Sequence, residues 1–125
     1  MSQLLAAIGY SIEEDTTVAV REAVAQARAA LGDKPPSVAF LTSTVDHQAS
    51  AVLDALRREL PGVAVHGITT SLGVLGARGI VAGGGGAVAV LLLGGSGDIR
   101  VAAGAAEIKD DPRAAARAAA QALRE

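Results

Sequence analysis

A chain of 125 residues, half of them apolar, has the length of one domain and can bury a core, and its formal net charge of −2 carries no basic excess. Binding to nucleic acid needs a positive field and, for single strands, stacking aromatics; one Phe, one Tyr and no Trp leave both requirements unmet. The absence of cysteine excludes a disulfide framework, thiolate chemistry and a Cys-based zinc site.

The two histidines, His47 and His66, lack the helical spacing that would put both on one metal, so neither a metal nor another cofactor is expected. Met1-Ser2-Gln3 offers no basic region ahead of Leu4 to Ile8, which is therefore not read as a signal peptide. The longest apolar run, Ala87 to Leu93, is far too short to span a bilayer. The reading is a soluble, cytoplasmic protein with no nucleic-acid or membrane partner, its core built from Ala, Val, Leu and Ile.

Leu4 to Ile8 reads as a first strand, and Gly9 to Asp15 as the turn after it. Ser11 is either a ligand contact there or, like Asp15, a cap of the following helix. Thr16 to Leu31 is helical, with Val20, Val24, Ala27 and Leu31 on one apolar face and Gly32 and Pro35-Pro36 stopping it. Glu13-Glu14-Asp15 suits the positive end of that helix.

Val38 to Leu41 is a second, buried strand followed by Thr42-Ser43-Thr44. Asp46 is expected to cap the next helix, with His47 solvated in its first turn. Ala49, Val52, Leu53, Leu56 and Leu60 form that helix's apolar face, and Pro61-Gly62 ends it. Val63 to Val65 is a third strand, leading into His66-Gly67-Ile68-Thr69-Thr70-Ser71-Leu72-Gly73.

Strand, helix, strand, helix, strand at these lengths predicts a parallel βαβαβ unit. Its topology gathers Ser11, Thr42, Ser43, Thr44, Thr69, Thr70 and Ser71 at the carboxyl ends of the strands, where open α/β sheets bind ligands. His66 and Gly73 flank the last of these groups, and the whole set is the candidate binding rim for a small polar ligand.

Beyond it the pattern changes to strands joined by glycine-rich turns. Ile80 to Ala82 is a short strand or loop edge. Ala87 to Leu93 and Ile99 to Gly104 are expected to pair as an antiparallel hairpin. Gly83 to Gly86 lacks the GxxxxGK[ST] pattern and reads as a turn, not a phosphate loop. Asp111 as N-cap and Pro112 at the first helical position open a last, alanine-rich helix with a narrow stripe of Ala116, Ala119, Ala120 and Leu123. The fold expected is a single α/β domain over 1–125: a parallel βαβαβ unit, an antiparallel hairpin and a C-terminal helix, with the sheet flanked by helices.

Gly9-Tyr10-Ser11, the Val38-to-Thr44 segment, the His66-to-Val74 stretch and Asp111 to Ala119 together resemble the N-terminal part of the FIST sensory domain, in order and spacing, over nearly the whole chain. The His-Gly-x-Thr-(Ser/Thr)-x-x-Gly-Val stretch is the most telling. The resemblance implies a prokaryotic signal-transduction module that senses a small ligand, with amino acids proposed, and that has no enzymatic activity. It also implies a cysteine near Ser71, which this chain lacks, and a longer α/β region. The expected partner is accordingly a second copy, as in a homodimer or other homo-oligomer, or a further FIST portion.

Two other functions compete. A protein-interaction or oligomerisation module would use the rim hydroxyls only as caps. A hydrolase would use Thr69, Thr70 or Ser11 as nucleophile and His66 as base, but His66 and Thr69 point to opposite sides of an extended strand, no G-x-S-x-G elbow is present, and no catalytic residue is assigned.

Overall fold

Alternating burial defines the first strand: in β1 (Leu4–Ser11), Ala7, Gly9 and Ser11 are buried and Leu4, Ala6 and Ile8 exposed, so one face meets a core and the other does not. The computed structural model describes residues 3–82, 84–95 and 100–124. After β1 come α1 (Thr16–Leu31), β2 (Pro36–Thr44), α2 (Ala49–Glu59), β3 (Ala64–Thr70), β4 (Val74–Gly76), β5 (Gly79–Val81), β6 (Val88–Gly95) and α3 (Pro112–Ala122). The class is α/β, as expected, with a mixed sheet flanked by helices.

The four-stranded sheet has the order β1-β6-β2-β3. β2 and β3 are parallel, in register from Val38 opposite Ala64 to Thr44 opposite Thr70. β1 runs in the same direction, but β6 lies between it and β2, antiparallel to both. The expected parallel unit is therefore split by a late strand. The reason is visible in β6 itself: Val88, Val90 and Leu92 are fully buried on one face, and Ala89 is buried on the other. Such a strand loses least when both of its edges are paired, which makes it central.

For the same reason the hairpin expected between Ala87 and Gly104 does not form. Residues 100–104 are not a strand, and Ile99 lies outside the described residues. An antiparallel hairpin does come after the parallel pair, at β4 and β5, where Val74, Leu75 and Gly76 face Val81, Ile80 and Gly79.

α1 and α2 meet one face of the sheet. Ala19, Val20, Ala23, Val24, Ala27 and Leu31 of α1 pack with Val52, Ala55 and Leu56 of α2 over Ala7, Ala39, Leu41, Val88, Val90 and Leu92. The stripe predicted for α1 is the stripe observed, widened by small alanines that let the helix lie close. Asp15 caps α1, its Oδ1 accepting from the Val18 N–H at 2.9 Å, and Gly32 at φ 72° closes it, its N–H donating to Arg28 O. The β4–β5 hairpin covers part of the other face, where Val74, Ala87 and Ala89 pack with Tyr10 and Val81. Leu4, Ile8, Phe40 and Ile68 remain exposed there.

β1 is an edge strand, and Gln26 brackets it. The Tyr10 N–H donates to Gln26 Oε1 at 3.2 Å, and Gln26 Nε2 donates to Tyr10 O at 2.8 Å, which occupies at that point the groups an incoming strand would pair with.

α3 begins as read: Asp111 Oδ1 accepts from Arg113 N–H and Ala114 N–H at 2.9 and 3.1 Å, with Pro112 in the first turn. Its contact face keeps Ala119 and Leu123 of the expected stripe, while Ala116 and Ala120 are exposed and Ala115 takes their place. Ala115 is buried and Ala119 half-buried, because the coil around Gly104 lies against Ala119 and Leu123. One buried alanine anchors a helix weakly, so its cap carries much of its order. Asp111→Ala is expected to cost about 1 kcal/mol and to act locally. Amide exchange over 113–116 should quicken while the midpoint of global urea unfolding stays put; a matching fall in the midpoint would place α3 in the cooperative core.

Candidate ligand-binding site

Strand length decides where the expected rim residues go. β1 runs through Ser11, β2 through Thr44 and β3 through Thr70, so most of the hydroxyls expected in loops sit inside strands and alternate between the two faces. The start of β6 enters between the ends of β1 and β2, with Val88 opposite both Ser11 and Ser43, and this divides the rim.

Ser11 and Thr44 are held by structural bonds. Ser11, on the helix face, donates to Glu22 Oε2 at 2.7 Å and accepts from Glu13 N–H at 3.2 Å. Thr44 fastens β2 to the chain entering β6: its N–H donates to Ala87 O at 2.9 Å and its Oγ1 accepts from Ala87 N–H at 3.0 Å. Thr42, His66 and Thr70 share the face away from the helices. His66 is exposed and meets Phe40 edge-on, with ring centroids 6.2 Å apart. Thr70 Oγ1 accepts from Leu72 N–H at 3.4 Å, in the turn that also holds the exposed Ser71. Gly73 starts the hairpin, where an added Cβ would stand 2.7 Å from Val81 O.

Ser43 and Thr69 are brought together. They are register partners on β2 and β3 and so share the helix face. Both line a cavity of about 400 Å³ between α2 and the free edge of β3. Leu41, Val52, Leu53 and Val65 form its apolar walls, and Ala49 brings the first turn of α2 to it. Ser43 is 3% exposed, and its side chain makes no hydrogen bond among the described residues. No side chain caps the N-terminus of α2, where Gln48 holds the capping position. A smaller recess of about 280 Å³ adjoins it, sharing Leu53 and Val65 and reaching Arg57.

Asp46 is not the α2 cap, because the helix starts later. Residues 45–47 form a turn in which His47 N–H donates to Thr44 O at 3.2 Å. The imidazole that was expected in solvent is drawn into the core at 2% exposure, its Nδ1 2.9 Å from Thr16 Oγ1. Among the described residues His47 Nε2 has no hydrogen-bond partner, and Gly86 lies directly on it.

His66 is not brought to Thr69, since it projects from the opposite face of β3. Among the described residues, no group of three or more His, Cys, Asp or Glu could hold a metal ion, and no helix is long and apolar enough to cross a membrane. The cavity walls escaped sequence reasoning because Leu53 and Val65 have the appearance of ordinary core. The signal that could have found them was the breadth of the α2 stripe, which extends to Ala49 and Leu53, further than a helix at a sheet edge can bury. The FIST N domain family model matches residues 37–125, a stretch that contains every residue lining this cavity but neither β1 nor α1. No curated protein matches the chain.

Proposed function

Because the chain belongs to the FIST N domain family, a family of sensory signal-transduction modules, we propose that it is a sensory domain whose ligand, a small polar metabolite of amino-acid size, occupies the cavity between α2 and β3. The observation that carries this reading is the Ser43 side chain: the residue is 3% exposed, makes no side-chain hydrogen bond among the described residues and lines an apolar-walled cavity of about 400 Å³. Ligand sites are commonly concave, mostly apolar and supplied with a few convergent polar groups. Occupancy would bridge β2, β3 and the start of α2, so ligand binding tightens the open edge of the sheet and offers a partner a changed surface.

A thermal-shift panel of amino acids, nucleotides and small organic acids tests it. A ligand at ~100 times its Kd adds about 2.7 kcal/mol, which raises the Tm of a domain this size by several degrees. The shift should vanish in Ser43→Ala and Thr69→Val and persist in Ser71→Ala. The exposed Leu4, Ile8, Phe40 and Ile68 favour a second reading, a surface for a second copy or another protein. Silence across the panel from folded protein would move the assignment there.

A further inference from the structure

We infer that the cavity selects a small aliphatic carboxylate that carries no ammonium group. This rests on the ligand-binding reading above and narrows it to one chemical class. Ala49 brings the first turn of α2 to the cavity, and that turn has backbone N–H groups with no side-chain cap. A helix N-terminus with free N–H groups favours an anion. Alone it would not make a site; the second observation is Ser43, 3% exposed and lining the same cavity, with no hydrogen bond from its side chain among the described residues. Thr69, its register partner, adds a second hydroxyl. One carboxylate can take donors from both hydroxyls and from the helix end.

The remaining lining is uncharged, the aliphatic Leu41, Val52, Leu53, Val65 and Ile68 with Gly67. It suits a short branched hydrocarbon tail.

What the lining lacks sets the selectivity. Among the described residues no Asp or Glu lines the cavity, so an α-ammonium group would have no counter-charge from them. It would also sit beside the positive end of α2, where a cation is disfavoured. Arg57, in the adjoining recess, is 66% exposed and lies 3.9 Å from Asp54, so its charge is answered on the solvent side. An amino acid therefore meets its carboxylate requirement and fails its ammonium requirement, whereas the same skeleton without the amino group meets both.

Three probes separate these possibilities: 4-methylpentanoate, leucine and 3-methylbutan-1-amine, which share one branched tail. Calorimetric titration should show 4-methylpentanoate binding about tenfold or more tighter than leucine, with no heat from the amine. Ser43→Ala should weaken the carboxylate about tenfold, the loss typical of a hydrogen bond to a charged group. Ala49→Asp separates binding from folding. An acidic residue in the first turn suits the helix, so the Tm should hold or rise while the added carboxylate fills the anion position and abolishes binding.

Leucine binding as tightly as 4-methylpentanoate would overturn the inference, as would an unchanged affinity in Ser43→Ala or Ala49→Asp. If nucleotides or amino acids shift the Tm through Ser43 while 4-methylpentanoate does not bind, the inference falls and the sensory reading stands. If nothing binds, both fall.

Discussion

Gly9→Ala should destabilise the domain by about 3 kcal/mol, the upper range for overpacking a core, although it adds a single methyl group. Gly9 shares the helix-facing side of β1 with Ala7 and Ser11, all three buried. A Cβ there would overlap the carbonyl oxygen of Ala23 and stand 2.8 and 2.9 Å from Ala23 C and Ala27 N. These are backbone atoms of α1 and cannot rotate aside. The whole helix would have to lift, and Ala19, Ala23 and Ala27, each 0% exposed, would lose contact together. With total stability of about 5–15 kcal/mol for such domains, a loss of this size is a large share of the whole. Gly84→Ala is the control: nothing stands within 4 Å of its Cβ position. Urea unfolding should show a large midpoint shift for the first variant and little for the second. A Gly9→Ala midpoint equal to the parent's would mean that α1 is not held against β1 as described.

The ends of α1 and the start of α3 were legible because their signals are local. Asp15 and Asp111 cap α1 and α3 through their own side chains, and Gly32 closes α1, all within a turn of chain. The α1 stripe needed only spacing. The family resemblance was legible too, since its motifs are contiguous in sequence. Strand order was not. The run from Ala87 to Leu93 gives the same pattern whether it pairs with the segment after it or slots between two strands formed earlier. That choice depends on the two edges left open by β1 and β2, which no single window of sequence contains.

The placement of the candidate rim residues was half legible for a related reason. Hydroxyls at the carboxyl ends of the strands were correctly placed along the chain, but their faces depend on where each strand stops. Ending β3 at Val65 leaves Thr69 and Thr70 in a loop; ending it at Thr70 sends them to opposite faces. The pairing of Ser43 with Thr69 comes from a register that extends to Thr44 and Thr70, and so from the length of β2 as well. His47 was misplaced because its partner, Thr16, lies 31 residues away, at the start of another helix.

Gly86→Ala is expected to cost about 3 kcal/mol, combining backbone strain with steric overlap. Gly86 sits at φ 106°, where a side chain is strained whatever the space around it. An added Cβ would also stand 2.8 Å from His47 Cδ2, 2.9 Å from His47 Nε2 and 2.9 Å from Thr44 Oγ1. None of these neighbours moves freely: the His47 ring is buried and tied to Thr16 Oγ1, and the Thr44 hydroxyl accepts the Ala87 N–H that leads into β6. His47→Ala removes the ring and should itself cost about 2–3 kcal/mol, for a lost buried side chain and an abandoned hydrogen bond. The double variant separates the two sources of strain. If the clash with the imidazole matters, Gly86→Ala on the His47→Ala background should recover about 1 kcal/mol or more of coupling. Strict additivity would assign the whole cost of Gly86→Ala to its dihedral angle and to Thr44, and His47 would then not be the packing floor on which the glycine turn rests.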